Sequence, residues 1–499
     1  MSFLLGLDNG GTVTKAAIFD YKGSEIAVST QKTEMLFPQF GYTERNIEEL
    51  WQANARAVRA VLEKSGINPG EIVGLSVTGY GNGMILIDEK GEPVCDGIVS
   101  TDTRANKIVE NWYQDGTFEK VFPLTCQSIW AAQPVALLAW FKKNKPGILK
   151  KSRWLLMCKD YIRYRLTNEV WGELSDYSGT STMDINKAVY DRSVLELFGI
   201  DEYMCLLPPI KGATDLCGTI SKEAASLTGL AEGTPVAGGL FDIHACCLAT
   251  GVTTTDTLSC IAGTWTINEY LSDEPLLKKD IFMNSLFPID NLYLVMEGSA
   301  TSASNLEWFL NTILIEKKNS IELNGSNIYE YCNGLVDSIK PDESEIIFLP
   351  YLFSSNVGSK YKACFLGLNG WHTRAHLIRS IYEGVVFSAM LHIEKLLDGY
   401  SGIKKVRLAG GPARAATWVQ MYADCLQLSV EVSSVNEIGA LGAAMCASVV
   451  AGVHRNLKEA AEKMSTVSAI YEPDYKATQS YREKFNRFKS AISSLKEYW

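Results

Sequence analysis

Pro235-Val-Ala-Gly-Gly-Leu-Phe-Asp-Ile-His-Ala-Cys-Cys-Leu-Ala-Thr-Gly251 lies almost at the middle of the 499 residues, and its reading decides the fold. Pro-Val-Ala suits the end of a buried strand. Gly238-Gly239 permits a sharp turn and close approach of the backbone to a ligand. Asp242 follows, and a run of small apolar residues then reads as a helix. A strand, a glycine turn, an acid and a helix start make a seat for phosphate chemistry. The helix end offers N–H groups to an anion, and the carboxylate can take a proton from a hydroxyl. Read alone, the same stretch also fits a βα turn with Asp242 as a helix cap.

Moving outward, the chain opens on a second phosphate-like element. Phe3-Leu-Leu-Gly-Leu-Asp8 and Ala16-Ala-Ile-Phe-Asp20 are strands, joined by Asn9-Gly-Gly-Thr-Val-Thr-Lys15. The hairpin tip presents glycine N–H groups, the hydroxyls of Thr12 and Thr14, and the charge of Lys15. It is not a P-loop, because that spacing and the following helix are missing. Ile47 to Lys64 has helical spacing, and Ile72-Val-Gly-Leu-Ser-Val-Thr78 is a buried strand running into Gly79-Tyr-Gly-Asn-Gly83. Loops at the carboxyl ends of such strands are where α/β proteins contact substrate. Asp102 and Arg104 share a face if Ser100–Arg104 is extended, so they could bind a polyhydroxylated ligand or pair with each other. Residues 105–200 read mainly as helices and loops, an aromatic-rich insertion on the first domain.

The second half repeats the opening. Thr257-Leu-Ser-Cys-Ile-Ala and Trp265-Thr-Ile-Asn-Glu-Tyr270 are strands around the turn Gly263-Thr264. Val406-Arg-Leu-Ala409 is a further strand. Gly410-Gly411-Pro412 starts a helix to about Leu426, and Gly439 to Val450 is a helix of small residues. Two halves that each open on a Gly/Thr hairpin predict a duplicated α/β unit with a ligand cleft between.

Bulk properties fit two or three domains of an ordinary globular protein, 46% hydrophobic and 21% charged. A net charge of −10 argues against nucleic acid or an anionic membrane as partner, and no apolar run is long enough to span a bilayer. The 12 cysteines include no Cys-x-x-Cys, and no signal segment is evident, so reduced thiols and a cytoplasmic location are expected. His372 and His376 are expected on a helix surface and not at a metal.

The motifs together resemble the FGGY family of carbohydrate kinases, with similarity to its L-xylulose kinase branch. Leu7 to Lys15 is similar to the family's first phosphate motif and Thr234 to Asp242 to its second. Val406 to Ala413 is similar to its adenosine motif. Lys159-Asp-Tyr-Ile-Arg-Tyr-Arg-Leu-Thr167 with Asp176-Tyr-Ser-Gly-Thr180, and Ala363 to Glu383, add two further family-like stretches. The resemblance implies two actin/hexokinase-like (ribonuclease H-like) ATPase domains with a cleft, 1–248 on the sugar side and 249–499 on the nucleotide side. It implies ATP-dependent phosphorylation of a sugar or polyol, a ketopentose such as L-xylulose first. Another polyol or sugar acid (erythritol, ribulose, gluconate) is the alternative, and a non-catalytic actin-like binding protein the more distant one. Carried over by position, Asp242 is the general base, and Asp8 with Asp242 serves Mg²⁺. Gly11, Thr12, Lys15, Gly263 and Thr264 approach the phosphates of ATP, and Gly410 and Gly411 lie against the adenosine. Gly81, Asn82, Asp102, Arg104 and Asp242 face the sugar. Glycerol kinases have an Arg-Glu pair where this chain has Gly81-Asn82, which turns the expectation away from glycerol. The oligomeric state is not legible in the sequence; a homodimer, the commonest closed assembly, is only the general prior.

Overall fold

The computed structural model describes the chain except Met1, Thr264, Ala300, Asn324, Ser326, Ser354, Asn356, Ser359 and Gly399, and the side chains of Glu322 and Leu323. It divides into two compact units. The first comprises Met1–Thr253, Leu271–Val295 and Val435–Thr466, and the second Thr254–Tyr270, Met296–Ser434 and Val467–Trp499. Two stretches from beyond residue 249 thus fold with the first unit.

In the first unit the hairpin strands β1 (Phe3–Asn9) and β2 (Val13–Phe19) are followed by β3 (Glu25–Lys32) and β4 (Ile72–Gly79). β5 (Leu216–Thr219) and β6 (Pro235–Ala237) complete the run. The spatial order is β3-β2-β1-β4-β6-β5, and Leu240–Phe241 also pairs with β4. β1 and β6 run parallel to β4, while β2, β3 and β5 are antiparallel to their neighbours β1, β2 and β6. Leu4, Leu5, Leu7 and Ala16 to Phe19 are buried, as a sheet covered on both faces requires.

The second unit uses β7 (Thr257–Ala262), β8 (Thr266–Ser272), β9 (Tyr293–Ser299), β10 (Lys405–Gly410), β11 (Ser429–Ser433) and β12 (Val467–Tyr471). Their order, β9-β8-β7-β10-β11-β12, repeats the six-strand path of the first sheet, and Met283–Leu286 adds a seventh strand beyond β9. The pairings β7–β8 and β11–β12 are antiparallel and β7–β10 and β10–β11 parallel, again as in the first sheet. The repeated hairpin read from sequence is therefore a repeat of the sheet.

Helix Ile47–Ser65 is capped by Asn46, whose side chain accepts from Glu49 N–H, and is ended by Gly66 in the left-handed region, φ 67°. The small-residue helix Ile438–Val450 explains its own composition. A Cβ on Gly6 would stand 1.9 Å from the carbonyl oxygen of Ala440, and one on Gly442 would stand 2.2 Å from that of Ala245. The helix is pressed between β1 and the helix Asp242–Ala249, and only small residues allow that spacing. The region 105–200 is helical over Asn106–Gln114, Thr117–Thr125, Pro134–Asn144 and Cys158–Thr167, with short strands between. The histidine expectation is corrected in part. His372 precedes the helix Arg374–Leu397, and His376 is buried within it, where its ring bonds Thr373 at the helix start.

Candidate active site

In the first unit the hairpin places Asp8 directly opposite Lys15, so both side chains leave the same face of the sheet. Asn9, fully buried, ties the tip down: its Oδ1 accepts from Thr14 Oγ1 at 2.9 Å and from Asn54 Nδ2 at 2.7 Å. The tip closes through Gly10 N–H to the carbonyl of Val13 at 3.0 Å. Gly11 and Thr12 stand at its outer edge. Lys15 Nζ lies 2.7 Å from Glu437 Oε2, so its charge is already matched. The Asp8 carboxylate is packed beneath Gly439, whose added Cβ would meet it at 2.5 Å. Burial pushes the Asp8 carboxyl up to about 6, with Lys15 pulling down and Glu437 pushing further up.

Asp242 stands at the first position of its helix. The cap position belongs to Phe241, which has no side-chain capping bond, so Asp242 does not act as the cap. The turn before it needs both glycines. Gly239 has φ 86°, and a Cβ there would lie 2.0 Å from the carbonyl of Val77; one on Gly238 would lie 2.2 Å from that of Gly212. Buried side chains then grip the turn. Thr78 Oγ1 donates to the carbonyl of Leu240 at 2.7 Å, Phe241 N–H donates to Ser175 Oγ at 3.3 Å, and Arg163 donates to the carbonyl of Gly238. Arg163 belongs to a buried charge cluster. Lys159 Nζ lies 2.8 Å from Asp160 and 3.2 Å from Asp176, and Arg163 lies 2.9 Å from Asp160. Burial, then Asp8, then Asp176 push the Asp242 carboxyl well above the usual carboxylate range. Of the two acids singled out from the sequence, Asp8 thus sits close enough to Asp242 to raise its proton affinity. Arg163, Glu173 and Ser175 carried no assigned role in the sequence reading; Arg163 lies within the family-like stretch Lys159–Thr167, and nothing in the sequence marked Glu173 or Ser175.

The Tyr80–Gly83 loop lies beside this turn. A Cβ on Gly81 would collide with the Phe241 ring at 2.5 Å, so this glycine makes room for the residue preceding Asp242. Asn82 is buried in the left-handed region, φ 61°, and its Oδ1 has no partner among the described residues. Asp102 and Arg104 are buried and turned to each other. Asp102 accepts from Arg104 Nε and Nη2, each at 2.9 Å, and from Thr43 N–H at 2.7 Å. Arg104 also reaches Glu44 at 2.7 Å and lies over the Tyr42 ring at 4.1 Å. The alternative of a surface pair is corrected: the pair is interior, a strut between the 42–45 and 100–104 segments. Trp130 stacks on Phe282 at 4.7 Å, and His244 Nε2 meets Ser285 Oγ at 3.0 Å. The 281–285 segment therefore belongs to the same surroundings, which its distance in sequence concealed.

In the second unit the corresponding turn closes by Gly263 N–H to the carbonyl of Trp265 at 2.9 Å; Thr264 lies outside the described residues. Gly410 and Gly411 divide the work. Gly410, φ 97°, is pressed 2.3 Å (as an added Cβ) from the carbonyl of Ala262 and serves the sheet. Gly411 faces open space, its nearest neighbour being Ala303 at 3.8 Å, and it lines a cavity of about 520 Å³ with Tyr382, Asn333, Arg414 and Trp418. Tyr382 and Trp418 stack at 4.0 Å and 17°. That volume suits a drug-sized or nucleoside-sized group.

A duplicated actin/hexokinase-like sheet, with paired acids at one glycine hairpin and an aromatic-lined cavity beside another glycine turn, is the architecture of a sugar kinase. The chain belongs to the FGGY family of carbohydrate kinases: residues 3–249 match its N-terminal domain and 258–451 its C-terminal domain. It is 35% identical to the L-xylulose/3-keto-L-gulonate kinase of Escherichia coli K12 over 99% of this chain and 98% of that one. It is 34% identical to a probable L-xylulose kinase of Pasteurella multocida over 99% of each. Among solved structures, a ligand-bound xylulose kinase from Lactobacillus acidophilus has the same fold, with TM-score 0.89 at 19% identity over 99% of this chain and 98% of that one. No helix among the described residues is long and apolar enough to cross a membrane.

Proposed function

We propose that this carbohydrate kinase transfers the γ-phosphoryl group of ATP to a hydroxyl of a ketopentose, L-xylulose first, with Asp242 as general base. The observation that carries the mechanism is the pair Asp8 and Asp242, two half-buried carboxylates, both with raised proton affinity and the first helping to raise the second, beside a phosphate-type hairpin. A carboxylate with a raised pKa is a stronger base than a solvated one, and Asp242 has no capping duty to compete with proton abstraction. As the proton moves to Asp242, the hydroxyl oxygen bonds the γ-phosphorus, and ADP leaves with the electrons of the broken P–O bond. Two such acids also suit Mg²⁺, which takes one or two carboxylates and completes its shell with water and phosphate oxygens. Asp8 and Asp242 would hold the ion, and when bound it neutralises phosphate charge.

Residues 1–248 supply base, phosphate hairpin and sugar loop; 249–499 supply the adenosine side. Gly11, Thr12 and Lys15 serve the phosphates with Gly263 and Thr264, and Gly411 presents the 520 Å³ cavity to adenosine while Gly410 fixes the strand beneath it. Asn82, with its unpartnered carbonyl, reads a sugar hydroxyl, Gly81 seats Phe241, and the Asp102–Arg104 strut shapes the loop around them. L-xylulose is favoured by the names of the relatives at 33–35% identity, one of which also includes 3-keto-L-gulonate.

The test is ADP release from Mg-ATP with L-xylulose, 3-keto-L-gulonate, D-xylulose, L- and D-ribulose, erythritol, gluconate, glycerol and water alone. Asp242→Asn is run beside the wild type. One dominant ketopentose, lost in the variant, is expected. Activity surviving in Asp242→Asn removes the base assignment, and dominance of a sugar acid or polyol moves the substrate.

A further inference from the structure

The hairpin holds a second cation that the motifs do not name. Arg45 is 1% exposed. It donates to the carbonyl of Gly10 at 3.5 Å and to that of Gly11 more tightly, and its guanidinium lies 5.3 Å from the centre of the Tyr80 ring. Its Nε has no partner among the described residues. Among the described residues no Asp or Glu stands within ion-pair reach of it. The adjacent acid, Glu44, is committed to Arg104 at 2.7 Å, and the acid near the hairpin, Glu437, to Lys15 at 2.7 Å. A buried charge without a counter-charge is costly, and proteins keep one where an anion will arrive.

The grip has a geometric consequence. In a trans peptide the C=O and N–H of one unit point opposite ways. The carbonyls of Gly10 and Gly11 are drawn to Arg45, so the N–H groups of Gly11 and Thr12 point away from it. Neither N–H has a backbone acceptor among the described turn and loop bonds, whereas Gly10 N–H is bonded to Val13 and the Thr12 carbonyl to Thr33. Two successive outward N–H groups form an anion seat, backed by a fixed positive charge.

Resting on the phosphoryl-transfer reading, we propose that Arg45 is the positioning residue of the phosphate hairpin. It aims the Gly11 and Thr12 N–H groups at the ATP phosphates and supplies the uncompensated charge behind them. Lys15, already neutralised, contributes less.

Arg45→Gln and Arg45→Lys test this with two readouts, steady-state kinetics and calorimetric affinities for ATP and for adenosine. Arg45→Gln is expected to lower kcat ~100-fold, the scale for losing a preorganised oxyanion contact, with the sugar KM changed less than about threefold. It is also expected to abolish most of the wild type's preference for ATP over adenosine while adenosine affinity is kept. A merely structural arginine would lower the folded fraction and leave the ATP-to-adenosine ratio intact, and that result overturns the proposal. So does a wild type with no such preference. If Arg45→Gln does not fold, Arg45→Lys decides: it keeps the charge but cannot bind both carbonyls in a fork. A kcat reduced about tenfold or more with sugar KM retained supports the proposal, and a wild-type kcat overturns it. Should the wild type phosphorylate no sugar, the kinase reading fails by that result, and the ATP-to-adenosine ratio still decides the role of Arg45.

Discussion

The two hairpins occupy the same place in two copies of one sheet, yet they carry different chemistry. In the first, Asp8 opposes Lys15 and Asn9 opposes Thr14. One step from the tip of the second, Ile261 opposes Ile267, and Ala262 opposes Thr266. The strand that runs parallel to each hairpin ends in glycine opposite the turn, Gly79 against Asn9 and Gly410 against Ala262. Beyond Gly79 the chain enters the Tyr80–Gly83 loop, and beyond Gly410 it reaches Gly411 and an aromatic-lined cavity. Duplication preserved the backbone geometry, which packing enforces, and released the side chains at the tips. The charge collected at one copy, and the other kept an apolar rim and a pocket.

Asp8→Asn set against Ile261→Val breaks the comparison most sharply. The first is expected to lower kcat by about 10³ or more, because on the proposed mechanism it removes charge from the acid pair that serves base and phosphates. The second is expected to leave kcat within about twofold and cost about 0.5–1.5 kcal/mol of stability. Equal losses of activity in both would mean that the hairpins are functionally alike. The paired measurements are kcat at saturating sugar and thermal unfolding.

The glycines sharpen it next. Gly410→Ala must place a methyl against the Ala262 carbonyl at φ 97°, a clash with backbone that cannot swing aside. About 3 kcal/mol or more of destabilisation is expected, against about 1 for Gly79→Ala, whose Cβ would meet the Asn9 side chain at 3.2 Å. Gly411→Ala should be near neutral in stability and raise the KM for ATP, since its methyl enters the cavity. Urea titrations and ATP kinetics of the three variants separate the sheet's glycines from the pocket's.

These contrasts show which parts of the molecule could be read in the chain. The hairpins, the Gly238–Asp242 turn and the small-residue helix were legible because each is local: a few neighbouring residues fix the backbone and name the chemistry. Asp8 and Asp242 could be paired only because each belongs to a phosphate motif of the family. Glu437 was not legible, since it reaches Lys15 across 422 residues and nothing near either announces the contact. Arg45 stands on a two-residue strand, Glu44–Arg45, and acts on carbonyls that no sequence pattern marks. Asp102 and Arg104 were legible as a pair but not as an interior one, because the Tyr42 and Glu44 contacts that bury and saturate Arg104 come from elsewhere. Side chains that act on backbone from a distance leave no periodicity.

Lys15→Met is expected to have a smaller effect than Asp8→Asn, lowering kcat by about tenfold. Its ammonium is already paired with Glu437 at 2.7 Å, so most of this loss comes from the Glu437 carboxylate left without its partner. If Lys15→Met instead matches the loss in Asp8→Asn, the pair with Glu437 must open when ATP binds, and Glu437→Gln should then raise ATP affinity.

The smallest expected effect is on the stability of the ligand-free protein, and its pH dependence gives it a definite sign. The Asp8 carboxyl is raised from 3.8 to about 6 in the folded state, first by burial. The folded protein therefore holds this proton more tightly than the unfolded chain does. Its contribution to stability is complete below pH 3.8 and is lost as the pH rises through about 6. Asparagine carries no charge at any of these values. Asp8→Asn should then unfold a degree or two higher than the wild type at about pH 8, and the gain should fade as the pH drops toward 4. The Lys15–Glu437 pair survives the substitution, so no unpaired charge is created to offset the gain. Ile261→Val, at the matching strand position of the uncharged hairpin, should shift Tm by the same amount at every pH. Parallel Tm–pH curves for Asp8→Asn and wild type would show that the Asp8 carboxylate is not held at a cost in the resting fold, and the electrostatic difference between the two hairpins would then arise only when substrate binds.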